Sequence, residues 1–134
     1  MNKILPYLGR TWTPDFNCWD FIREFYSREY GIELEPHAVR VANAVRQADQ
    51  AVSGESGRRE TWQEVQEPVA GDVAVFGRKG FRYHVGLMIN QSTVLHLPEN
   101  CPSCAVPIRR IMTSFDNVSF YHHSDLLKPC QDSL

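Results

Sequence analysis

The hydrophobic period of this chain changes near Pro68, and that change restricts its fold more than any other feature. Before it, apolar residues recur at three-and-four spacing. Trp19, Ile22, Phe25 and Tyr26 form one stripe, in a segment that Asn17 can open as an N-cap and Gly31 can close in a left-handed conformation. Ala38, Val41, Val45, Ala48 and Val52 form another, which predicts a helix from Pro36 to Val52 with the proline at its start. Beyond Pro68 the apolar residues alternate. Phe81, Tyr83, Val85, Leu87 and Ile89 belong to one face of a strand, and Arg82, His84, Gly86 and Met88 to the other. Further strands are predicted over Asp72 to Phe76, Thr93 to Leu97, Pro107 to Met112 and Val118 to His122. N-terminal helices packed on a five-stranded antiparallel sheet make an α+β plan, not a chain of βαβ units.

The connecting segments read as follows. Residues 1–16 hold Pro6, Gly9 and Pro14 among aromatics, an ordered but irregular lead-in from which Tyr7 and Trp12 can pack near the helix start. Glu60 to Gln66 suggests a short helical turn with Trp62 and Val65 inward. Ser53 to Gly57 suggests a surface loop, Gly77 to Gly80 a turn, and the stretch after Ser124 a weakly ordered tail. A chain of 134 residues makes one domain, 1–134, that can fold without a metal or disulfide. The net charge of −2 carries no basic surplus for nucleic acid or an anionic membrane. Ile4 to Leu8 is too short an apolar run for a signal-peptide core, so the expected place of synthesis and residence is the cytoplasm unless something carries the protein out. There the four cysteines are expected to be reduced.

Asn17-Cys18-Trp19-Asp20 carries the chemistry. Asn17 and Asp20 are spaced for reciprocal capping, which puts Cys18 in the first helical turn. Unpaired N–H groups and the positive end of the macrodipole favour a thiolate there. The plain alternative is a small buried hydrophobe. If Asn90 to Ser92 is a three-residue hairpin loop, Gly86 faces His96, and His84 lies diagonally beside His96 on the same face. That is about 7–8 Å between backbones, a gap two imidazoles can close. A slip of one residue would put the rings on opposite faces. Gly86, lacking a side chain, is expected to let the cysteine helix approach the sheet. A cysteine nucleophile needs a base and a group that orients the base, so His84 is the candidate base and His96 its orienting partner. The N–H of Cys18 is available to an oxyanion. His37, His122 and His123 do not fit this geometry and read as surface residues or strand ends.

The segments NCWDFIREFY, EPVAGDVAVF and HVGLMINQSTVLH resemble, in order and spacing, the motifs of the NlpC/P60 cysteine peptidase family, especially its short bacteriophage and prophage tail-tip branch. The resemblance covers roughly residues 7–123. It implies a papain-like fold and hydrolysis of bacterial cell-wall stem peptides, commonly between D-glutamate and diaminopimelate. Cys18 maps onto the family's nucleophile, His84 onto its base, His96 onto its third polar residue, and Tyr7 onto a tyrosine found near the nucleophile. Trp12 joins Tyr7 as a candidate for substrate binding or oxyanion support. The implied partners are stem peptides and other phage tail proteins, with no cofactor, nucleic acid or membrane, and the implied place of action is the virion tail tip. The alternative is a structural tail protein of the same fold with little activity. Asp20 departs from the family pattern, which often has a small residue there, and so does Cys101-Pro102-Ser103-Cys104. The latter pair, with Cys130 and His122 or His123, leaves open a metal site, a labile disulfide, or unpaired thiols.

Overall fold

Asn17 adopts an extended backbone (φ −97°, ψ −168°), and its side chain accepts hydrogen bonds from the N–H groups of Trp19 and Asp20. In return Asp20 Oδ2 accepts from the Asn17 N–H at 3.1 Å, so the capping box forms as its spacing predicts. Helix α1, Cys18–Phe25, follows, and a π-helical turn, Tyr26–Tyr30, extends it to Gly31, whose φ of 68° is the left-handed stop. The computed structural model describes residues 2–34, 62–78 and 83–126. The predicted helix from Pro36 to Val52, the loop at 53–57, most of the Gly77 to Gly80 turn, the end of the tail, His37 and Cys130 lie outside them.

Six strands occur among the described residues: β1 Trp62–Val65, β2 Val73–Gly77, β3 Tyr83–Met88, β4 Thr93–His96, β5 Cys104–Pro107 and β6 Asn117–His123. They form one antiparallel sheet in the order β1-β6-β2-β3-β4-β5. Two expectations need correction. The Glu60 to Gln66 turn is the strand β1, because Trp62 gains the rings of Trp19, Tyr26 and His123 by lying along β6. That makes six strands where five were expected. The predicted strand from Pro107 to Met112 is a short helix, α2 (Ile108–Ile111), and the strand lies upstream of it. Pro107 has no N–H with which to continue a ladder, so β5 ends there, and the helical turn buries Ile111.

The alternation in β2, β3 and β4 splits the interior into two clusters. Trp19, Phe21, Ile22 and Phe25 of α1 pack with Val73, Val75, Val85, Leu87 and Leu95 on one face. Ala74, Phe76, Met88, Val94 and Ile111 pack together on the other. Tyr7 and the lead-in close the first cluster and are tied to the far edge of the sheet through Ser103. Gly9 N–H donates to the Ser103 carbonyl at 3.0 Å, Ser103 N–H to the Arg10 carbonyl at 2.9 Å, and Ser103 Oγ to the Tyr7 carbonyl at 2.6 Å. The start of β5 is therefore pinned.

The Gly86 expectation also changes. A Cβ there would lie 2.5 Å from Val94 Cγ2 and 3.3 Å from His96 Cβ, so the space is taken by β4 and not by the helix, which packs on the opposite face. Gly86→Ala should therefore force β3 and β4 apart and cost about 1–3 kcal/mol. Urea unfolding checks this: a variant as stable as the wild type would show that the contact is not tight.

Candidate active site

β3 and β4 meet in the register that a three-residue loop dictates: Gly86 opposite His96, Leu87 opposite Leu95 and Met88 opposite Val94. His84 and His96 therefore share a face, and His84 Nε2 lies 2.9 Å from His96 Nδ1. The rings cross at 78°. Phe115 stacks on His84 at an interplanar angle of 5°, and Phe76 flanks it, so this imidazole is held from several sides. His96 Nε2 in turn lies 3.8 Å from Cys104 Sγ on β5.

The helix that carries Cys18 covers the other face, yet its sulfur reaches the same site. β4 stops pairing with β3 at the Gly86–His96 rung, and the next residue of β3, Val85, directs its N–H to the Cys18 sulfur. Cys18, His84 and His96 all line one cavity of about 810 Å³, together with Trp12, Asn17, Trp19, Glu99 and Phe115. Arg78 and Arg110 add positive charge to its wall. Since Nε2 of His84 is engaged by His96, Nδ1 is the ring nitrogen left for the thiol.

Burial sets the charge states. It pushes the Cys18 thiol above its ordinary range, and Asp20 adds to the rise, against backbone N–H groups of Val85, Cys18 and Trp19. The thiolate expected from the helix N-terminus is therefore corrected to a thiol. Asp20 itself is engaged by the Asn17 N–H and by Arg23, at 3.4 Å. Burial, aided by His96, lowers His84 to about 3, and burial lowers His96 to about 4. A neutral thiol and a neutral imidazole that line one cavity suit general-base activation, in which the proton leaves as the sulfur attacks.

Not every candidate comes to the cavity. Tyr7 is fully buried, its ring against those of Phe21 and Phe25 and its hydroxyl donating to Glu29 at 2.8 Å. Tyr7 is not among the residues that line the cavity, whereas Trp12 is in its wall. His122 and His123 are the last two residues of β6, so of the two alternatives they are strand ends, and neither is exposed. His123 is packed by Tyr26 and Trp62, and His122 Nδ1 lies 2.6 Å from the buried carboxylate of Asp72. Among the described residues no group of three or more histidine, cysteine or carboxylate side chains is placed to hold a metal ion. Cys18, Cys101 and Cys104 are free thiols.

A model of the NlpC/P60 family matches residues 6–118, a span that contains Cys18, His84, His96 and Cys104. The chain belongs to the NlpC/P60 family. A search of curated protein sequences finds no match. The family is one of cysteine peptidases and related hydrolases acting on peptidoglycan, and the mixed helix-and-sheet architecture described above fits it. Reading the sequence missed Phe115, Arg78, Arg110 and Cys104 as members of the site. For Cys104 a signal existed in principle: once β5 is placed, it stands opposite His96.

The depressed histidines give stability a pH dependence of definite sign. Below about pH 6.5 the unfolded chain binds protons at His84 and His96 that the folded protein refuses until about pH 3 and 4. Stability is thus full above that range and falls as pH drops through it, by roughly 1.4 kcal/mol per unit for each ring. Urea unfolding at pH 7 and pH 5 should show a clear loss for the wild type and a shallower one for a His84→Gln, His96→Gln double variant; equal slopes would exclude this origin.

Proposed function

We propose that the protein is a papain-like cysteine peptidase that hydrolyses peptidoglycan stem peptides, at the bond between D-glutamate and diaminopimelate. The observation that carries this reading is the 2.9 Å contact between two neutral imidazoles in the cavity that also contains the Cys18 sulfur. Cys18 Sγ attacks the scissile carbonyl while its proton passes to His84 Nδ1. The oxyanion forms beside the helix start, where the Cys18 N–H, which the Asn17 side chain does not take, turns from the sulfur to the carbonyl oxygen as the tetrahedral intermediate forms. His84 then protonates the leaving amine, and with His84 as base, water hydrolyses the thioester, releasing the carboxylate and restoring the thiol. His96 holds the base in place. Arg78 and Arg110 suit the carboxylates of an acidic stem peptide.

The resemblance of NCWDFIREFY and HVGLMINQSTVLH to the phage tail-tip branch supports a place at the virion tail tip, among other tail proteins. There local opening of the wall would assist genome delivery or tail assembly. A second reading, a tail component with little activity, draws on the raised Cys18 thiol.

Incubation with purified peptidoglycan followed by mass spectrometry of the soluble products separates the two. The wild type should release fragments with a new diaminopimelate amino group, and Cys18→Ala should lower their formation by on the order of 10³ or more. Identical product profiles would remove the peptidase reading.

A further inference from the structure

The two histidines do not end the row of polar groups. His96 and Cys104 are cross-strand partners in the β4–β5 register, and His96 Nε2 faces Cys104 Sγ at 3.8 Å. Each neutral imidazole carries one N–H, so the choices along the row are linked. If His84 donates from Nε2 to His96 Nδ1, the His96 proton sits on Nε2 and is donated to the Cys104 sulfur. If instead the Cys104 thiol donates to His96, then His96 donates from Nδ1 to His84, and the His84 proton sits on Nδ1. In that second arrangement the base has no free lone pair for Cys18.

Two features of the structure favour the first arrangement. Cys18 and His84 line the same cavity, and His84 Nε2 is engaged by His96, which leaves His84 Nδ1 as the ring nitrogen to receive the Cys18 S–H. At the other end, burial and Cys101 push the Cys104 thiol up against the charge of Arg110, so its sulfur stays a neutral thiol, a weak donor with lone pairs turned to His96 Nε2. Cys104 is also well located for such a task, because the adjacent Ser103 is clamped to the lead-in. Ser103 Oγ accepts from the Arg10 N–H at 2.7 Å and donates to the Tyr7 carbonyl at 2.6 Å.

We propose that Cys104 is a positioning residue: its sulfur accepts the His96 Nε2 proton, and this fixes the tautomers of His96 and His84 so that His84 Nδ1 faces Cys18 as a lone pair. The catalytic part of this assignment rests on the peptidase reading, but the tautomer part does not.

The test uses the full chain labelled with ¹⁵N-histidine, as wild type, Cys104→Ala and Cys104→Ser, with nitrogen shifts recorded at pH 7. The wild type should carry its proton on Nε2 in both His84 and His96. Cys104→Ala should spread both rings over two tautomers, and Cys104→Ser, which keeps an acceptor, should restore the single form. A wild-type His96 protonated on Nδ1, or shifts that Cys104→Ala leaves unmoved, overturns the proposal. In peptidoglycan digestion Cys104→Ala should lower kcat about tenfold at unchanged KM, with most of the loss recovered in Cys104→Ser. An unchanged kcat overturns the positioning role. A wild type that releases no peptide sinks the peptidase reading, and with it the catalytic role, while the nitrogen shifts still decide whether Cys104 sets the tautomers.

Discussion

The pairing of Gly86 with His96 is the constraint on which the site depends. It places two imidazoles on one face, and because it is the last rung between β3 and β4, it leaves the N–H of Val85 free to meet the Cys18 sulfur. A helix on one side of a sheet and bases on the other would ordinarily be separated by a layer of backbone. Here they meet because the ladder stops. A slip by one residue would bury the histidines under α1 and expose Val85 and Leu87, exchanging several buried aliphatic contacts for polar ones, so the core and the site enforce the same register.

Burial dominates the electrostatics of this arrangement. A helix N-terminus stabilises a thiolate by about 1 kcal/mol at an exposed position, but the sulfur, like the two imidazoles that line its cavity, is largely withdrawn from water. The same withdrawal that raises the thiol lowers both imidazoles, which disfavours a resting thiolate–imidazolium pair from either side. The three backbone N–H groups around the sulfur offset part of that penalty. The proton thus stays on sulfur in a cavity that His84 also lines, which suits its transfer during attack.

What the sequence made legible was the chemistry that acts over short distances. Asn17 and Asp20 are three residues apart and bond to each other's backbones. Gly31 closes its own helix, and Asn90 to Ser92 sets the register of the strands it joins, which is why Cys18, His84 and His96 can be found together. The misplaced elements were those decided by distant partners. Trp62 lies in a strand because β6 and the rings of Trp19 and His123 are beside it, and nothing within a few residues of it announces this. Pro107 did carry a local signal, a missing N–H, but it was read as the start of a strand when it is the end of one. Phe115, stacked on His84 from a loop beyond α2, had no signal in spacing at all.

The Cys101 to Cys104 segment shows how spacing alone misleads. Two cysteines with two residues between them invite a reading as a pair, because metals and disulfides need both sulfurs. The structure assigns their neighbours different tasks. Ser103 uses its hydroxyl and both backbone groups to tie the lead-in to the sheet edge, and Cys104 turns its sulfur to His96. Ser103 cannot serve that clamp unless β5 begins where it does, and that start puts Cys104 opposite His96. The clamp that ties Tyr7, Gly9 and Arg10 to the sheet edge thus also sets where Cys104 stands against His96. The fold of the N-terminal arm and the protonation of the base are therefore linked through one serine.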